Sequence, residues 1–150
     1  MNIINTNNLE KAKQLIKTAQ VPIIVKAQNE EFNRKILEYG KFQILLSPES
    51  TSGKNSVRQS NSGLNHILVK IATENNIAIG IDLKEISSLE KKEKAESLTK
   101  TKQNLKICRK SKTRLIVLNA TIQQTQNLLQ SLGASTQQIK ESISSKAKYF

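Results

Sequence analysis

The feature that most constrains this chain is the regular return of short, β-branched apolar runs between stretches of helical periodicity. Val21-Pro22-Ile23-Ile24-Val25, Phe42 to Leu46, Ile77-Ala78-Ile79-Gly80-Ile81 and Leu115-Ile116-Val117-Leu118 are continuous rather than alternating. Strands buried on both faces read this way. Ile3-Ile4 reads as the stub of a first, weaker strand. Between these runs, apolar residues recur every three or four positions. Leu9, Ala12, Leu15, Ile16 and Ala19 mark one helix. Phe32, Ile36 and Leu37 mark another, closed by Gly40. Leu64, Ile67, Leu68, Ile71 and Ala72 give the cleanest amphipathic stripe.

The remaining helices follow the same logic. Residues 86–112 are expected to be one long helix with Ala95, Leu98, Leu105 and Cys108 on its buried side. Ile122, Leu129 and Leu132 give a helix ending at Gly133, a favoured residue just past a helix terminus. Ser135 and Gln138 have the spacing of a capping box, opening a final helix through Ile139 and Ile143. The tail 146–150 is expected to fray. Residues 47–62, rich in Ser, Thr, Asn and Gly, read as a long loop. Strands alternating with helices imply an α/β fold with a parallel sheet. Four clear strands and a weak fifth are too few for an eight-stranded barrel, so an incomplete barrel or an open sheet is expected. No internal repeat marks a second unit, and residues 1–150 read as a single domain.

Charge narrows the function. The chain has 24 Lys plus Arg against 12 Asp plus Glu, a formal net charge of +12. From Ser97 to Lys140 there is no acidic residue, while Lys100, Lys102, Lys106, Arg109, Lys110, Lys112 and Arg114 crowd together. Such one-signed charge implies an anionic partner, and nucleic acid is the expected one. Trp is absent and aromatics are few, so recognition through phosphates and shape is expected rather than base stacking. The competing interpretation is a generally basic protein without a particular ligand.

Catalytic signals are sparse. Cys108 is the sole cysteine and His66 the sole histidine, which excludes an intrachain disulfide and a histidine-rich metal cluster. Cys108 reads as a small buried hydrophobe on a helix. His66 reads as a hydrogen-bonded helix residue. Asp82, the sole aspartate, ends a predicted strand, where α/β enzymes place catalytic groups. Glu49 is its nearest counterpart at another strand end. Capping of the following helix is the plainer role for Asp82. No phosphate-cradling GxGxxG or GxxxxGK motif occurs. The N-terminus lacks the pattern of a signal peptide, and no apolar run approaches the ~20 residues of a membrane span, so a cytoplasmic protein is expected.

Several segments, in order, resemble the ribonuclease P protein component 3 family of archaea, counterpart of the thirty-kilodalton subunit of the nuclear enzyme. Glu31-Phe32-Asn33-Arg34-Lys35-Ile36-Leu37-Glu38 is similar to a family helix bearing Asn-Arg-Lys, and Gln43 to Glu49 to the strand and Ser-containing turn after it. Ser62 to Ala72, continuing through Glu74-Asn75-Asn76-Ile77-Ala78-Ile79, is the strongest match. Asn104 to Lys112 is similar to the family's basic helix, followed by a strand from Leu115 to Asn119. Leu132-Gly133-Ala134-Ser135 and the helix after it are similar to the family's ending.

The resemblance implies a TIM-barrel-like α/β domain, related to polymerase and histidinol phosphatase domains but shortened. The first strand–helix units are expected to be missing and the region after the last strand compressed. It implies a protein subunit that binds and stabilises the catalytic RNA and supports removal of the 5′ leader from precursor tRNA. Catalysis, with magnesium, lies in the RNA. The implied partners are the ribonuclease P RNA, the ferredoxin-like component 2 and, indirectly, precursor tRNA. This chain itself is expected to carry no cofactor, no metal ligand and no catalytic residue, and to contact no membrane. The candidate RNA contacts are Arg34, Lys35, Arg109 and Lys110 from the family-like segments. Charge placement adds Lys54, Arg58, Lys70, Lys106 and Lys112. Two alternatives stay open: a metal-dependent phosphoesterase of the polymerase and histidinol phosphatase type using Glu49, His66 and Asp82, or a general RNA-binding protein.

Overall fold

A computed structural model gives the fold and describes residues 2–50 and 61–150. The candidate contacts Lys54 and Arg58 lie outside the described residues. The elements, in chain order, are β1 (Ile3–Ile4), α1 (Leu9–Thr18), β2 (Ile24–Lys26), α2 (Glu30–Tyr39), β3 (Ile44–Leu46), α3 (His66–Glu74), β4 (Ala78–Asp82), α4 (Leu83–Ser87), α5 (Lys91–Ser111), β5 (Leu115–Leu118), α6 (Ile122–Ser131) and α7 (Thr136–Tyr149). A single 3-10 turn at Pro48–Ser50 follows β3.

The five strands form one sheet in the order β1-β2-β3-β4-β5, every neighbouring pair parallel. Sequential order with short crossovers is the arrangement of a barrel segment rather than of a doubly wound sheet. Among the described residues the sheet does not close: β1 pairs only with β2, and β5 only with β4. It is the incomplete, open form of the expected α/β architecture.

The pleat divides the apolar strand residues between two layers. Val25, Leu45, Ile79, Ile81, Leu115 and Val117 join the main core, with Ala12 and Ile16 of α1, Ile36 and Leu37 of α2, Leu68 and Val69 of α3, and Leu105 and Cys108 of α5. Their alternates Ile24, Ile44, Leu46, Ala78, Ile116 and Leu118 form a second cluster on the other face, against which Tyr149 of α7 packs. This is why the strands are continuously apolar: both faces are covered. Gly80 sits where that second layer is tightest. A Cβ there would lie 2.7 Å from Ile44 Cγ2 and 3.0 Å from Leu46 Cδ1.

Three differences from the sequence expectations have physical causes. Strand pairing starts at Ile24 rather than Val21, because Pro22 has no N–H to give the ladder, and Val21 is left 66% exposed. The long helix expected over 86–112 is broken into α4 and α5. Asp82 caps the start of the first piece, and the Ser88 hydroxyl competes for its end by donating to the Glu85 carbonyl oxygen at 2.8 Å. After the break the helix face is rotated, and Ala95 is exposed while Leu105 and Cys108 remain buried. The tail expected to fray stays helical to Tyr149, tied down by the Lys146 ammonium, which donates to the Ala120 carbonyl oxygen, and by Tyr149.

Candidate nucleic-acid interface

Two polar regions stand out: the carboxyl ends of the strands, and the solvent side of α5.

At the strand ends, Lys26 closes β2, Ser47 and Glu49 follow β3, Asp82 closes β4, and Asn119 follows β5. The Lys26 ammonium donates to both Glu85 carboxylate oxygens, at 2.9 and 2.7 Å. The Ser47 hydroxyl donates to Glu85 Oε2 at 3.3 Å. Asp82 Oδ1 accepts from the backbone N–H groups of Lys84 (3.0 Å) and Glu85 (3.3 Å) and from Asn119 Nδ2 (2.9 Å). Asp82 is therefore the N-cap of α4 and a tie between two strand ends, the plainer of the roles read from the sequence. Glu49 is 5% exposed. Burial, more than the nearby Glu85 and Asp82 carboxylates, pushes its carboxyl up to about 7, against the opposing pull of a hydrogen bond from its own backbone N–H and, more weakly, of Lys26.

This layout does not assemble the phosphoesterase constellation. His66 is the exposed first residue of α3 rather than a hydrogen-bonded helix interior residue. Glu49, His66 and Asp82 do not come together as a group that could hold a metal ion, and no other such trio exists among the described residues. Cys108 is fully buried, and burial alone pushes its thiol up to about 12, which leaves it an inert core residue.

The basic side is built differently. The buried residues of α5 are Thr101, Asn104, Leu105 and Cys108. Asn104 donates to the Ser62 carbonyl oxygen at 3.0 Å, anchoring the helix to the segment before α3. Lys102, Lys106, Arg109 and Lys110 fall on the exposed side, and Lys112 caps the C-terminus in the left-handed conformation at φ 56°. Lys70 is exposed on α3, which packs against α5 through the Thr73 hydroxyl, 3.3 Å from the Ser111 carbonyl oxygen and 2.7 Å from the Thr113 hydroxyl. Lys70, Lys106, Arg109, Lys110 and Lys112 thus belong to neighbouring helices. Arg34 and Lys35 lie apart on α2, paired with Glu38 at 3.2 Å and Glu31 at 2.8 Å.

Arg109 has a second attachment that sequence reading missed. Its guanidinium donates to the Gly133 carbonyl oxygen and to Gln138 Oε1, the latter at 3.3 Å, tying α5 to the α6–α7 connection. The Lys26–Glu85 pair was missed too. Its partners are 59 positions apart, and only strand register brings them together.

The comparisons bear on this geometry. No family model matches the chain. By sequence it is similar to ribonuclease P protein component 3 of Methanococcus maripaludis, with 25% identity over 113 residues, which is 75% of this chain and 46% of that protein. It is similar also to ribonuclease P protein component 3 of Methanosarcina mazei, with 33% identity over 95 residues, 63% of this chain and 36% of that protein. The matched part thus spans less than half the length of these relatives. By structure, the fold is shared with a chain in a cryo-EM structure of archaeal ribonuclease P with mature tRNA. The TM-score is 0.77 at 20% identity, covering 97% of this chain and 64% of that one.

Proposed function

We propose that this chain is a component 3-like part of a ribonuclease P, binding and stabilising the catalytic RNA so that the 5′ leader of precursor tRNA is removed. What carries the reading is that relatives of the same name are found by sequence, while the fold, over nearly its whole length, matches a chain of an archaeal ribonuclease P assembly. The charge supports it: a net +12 chain whose basic helix carries no acid from Ser97 to its end suits a partner that folds its phosphates closely together. In this reading Lys and Arg side chains neutralise phosphates and release counterions, and the hydrolysis and its magnesium belong to the RNA. Arg34, Lys35, Lys54, Arg58, Lys70, Lys106, Arg109, Lys110 and Lys112 are candidates for these contacts. Component 2 is the protein partner, precursor tRNA is met through the assembled enzyme, and the cytoplasm is where it works. Among the described residues no helix is long and apolar enough to cross a membrane.

The test is precursor-tRNA cleavage by an archaeal ribonuclease P RNA at low magnesium, first with component 2 alone and then with this protein added. Stimulation of the cleavage rate is expected. A folded protein that leaves an active RNA unstimulated would refute the assignment and leave a general RNA-binding role.

A further inference from the structure

Resting on the RNA-binding part of that reading, we propose that the phosphate-gripping surface is one lysine stripe, Lys102, Lys106 and Lys110 on α5, and that Arg109 is a structural pin rather than a member of it. Many of the other cations are already committed within the protein. Arg34 and Lys35 are held by carboxylates one turn away. Lys26 is held by Glu85, and Arg114 donates to both oxygens of Asn76, at 3.0 and 2.8 Å. The Arg109 guanidinium is engaged by Gly133 and Gln138.

Lys102, Lys106 and Lys110 differ. All three are exposed, and none has a hydrogen bond or ion pair among the described residues. They follow one another at four-residue intervals, so each ammonium stem starts roughly 6 Å further along the helix axis. Like charges at this spacing weaken a helix, and an intervening Glu would have strengthened it. The helix dipole favours a cation in the last turn, which accounts for Lys110 but not for Lys102 in mid-helix. The run without acids begins at Ser97, so no carboxylate of α5 itself lies among the three lysines. A row of compact, rotatable ammonium groups follows a phosphate backbone without demanding bidentate geometry.

The experiment is fluorescence anisotropy of the full chain on a labelled archaeal ribonuclease P RNA and on an unrelated labelled RNA hairpin, from 50 to 300 mM KCl. The slope of log Kd against log salt is expected to fall by roughly 2 units in K102Q/K106Q/K110Q, three lost contacts at about 0.7 to 0.9 each. A charge-matched control, K11Q/K17Q/K84Q, is expected to keep the wild-type slope. R109Q is expected to keep the slope and lose roughly 2–4 °C of Tm. A wild-type slope in the triple variant, an equal loss in the control, a slope change in R109Q, or no RNA binding by the wild type would each overturn the proposal. Circular dichroism melts verify that every variant is folded. If the stripe behaves as expected while precursor-tRNA cleavage is not stimulated, the ribonuclease P role fails and the RNA-gripping surface stands.

Discussion

Glu49 shows how one residue couples the fold to pH. Its carboxyl titrates near 7 in the folded protein and near 4.5 in the unfolded chain. Below pH 4.5 it is neutral in both states. As pH rises from 4.5 to 7 the unfolded chain ionises while the buried group resists, so stability is lost across that window and levels off above it. The loss is on the order of 3–4 kcal/mol at roughly 1.4 kcal/mol per pH unit. Replacing Glu49 with Gln is expected to flatten this segment, and urea unfolding midpoints of the two proteins between pH 4 and 8 measure the difference. Parallel curves would refute it. Asp82 was legible as a cap from its place before a helix. The burial of Glu49 was not, because a Glu after Pro in a Ser-rich segment reads as exposed loop. Its environment is assembled by Lys26, Glu85 and Asp82, from strand and helix ends far apart in sequence.

Among the elements, local chemistry was the most readable. The capping box of α7 is present in full, with Gln138 N–H donating to Ser135 Oγ at 3.2 Å and Ser135 N–H donating to Gln138 Oε1 at 3.0 Å. Gly40 and Gly133 end their helices at φ 73° and 86°, as their positions suggested. The break before α5 was hidden, because the charged stretch 90–96 has no apolar stripe whose phase would reveal a shifted helix face. Gly80 belongs to this scale, since its value lies in how closely β3 side chains approach β4. Gly80→Ala forces Ile44 and Leu46 to shift and is expected to cost about 1–3 kcal/mol, seen as a lowered Tm. A Tm within 1 °C of wild type would show that the layer has slack, on the ~2–4 °C expected per kcal/mol for this size.

For the whole molecule, alternation of strand and helix made the parallel sheet legible, and the continuous apolar runs gave its two covered faces. Openness followed only from counting strands. The covering of the second face was not legible, because Tyr149 reaches it from a tail that looks unremarkable in sequence. Charge sets the remaining global property. A formal +12 on 150 residues makes the compact state repel itself. Raising KCl from 20 to 500 mM is expected to raise Tm by a few degrees as the Debye length shrinks from roughly 20 Å to a few ångström, with thermal melts at fixed pH as the measurement. A flat or falling Tm would mean that local ion pairs outweigh the global repulsion.

The strand order carries a last consequence, for synthesis. Each new strand joins the edge left by its predecessor, and none is inserted between two earlier ones. A nascent chain leaving the ribosome can therefore build the sheet in the direction of translation, one strand–helix unit at a time, without waiting for a distant segment to arrive. The outer edge of β1 is open from the first step, while the newest edge, β5, is met by α7, which follows it in the chain.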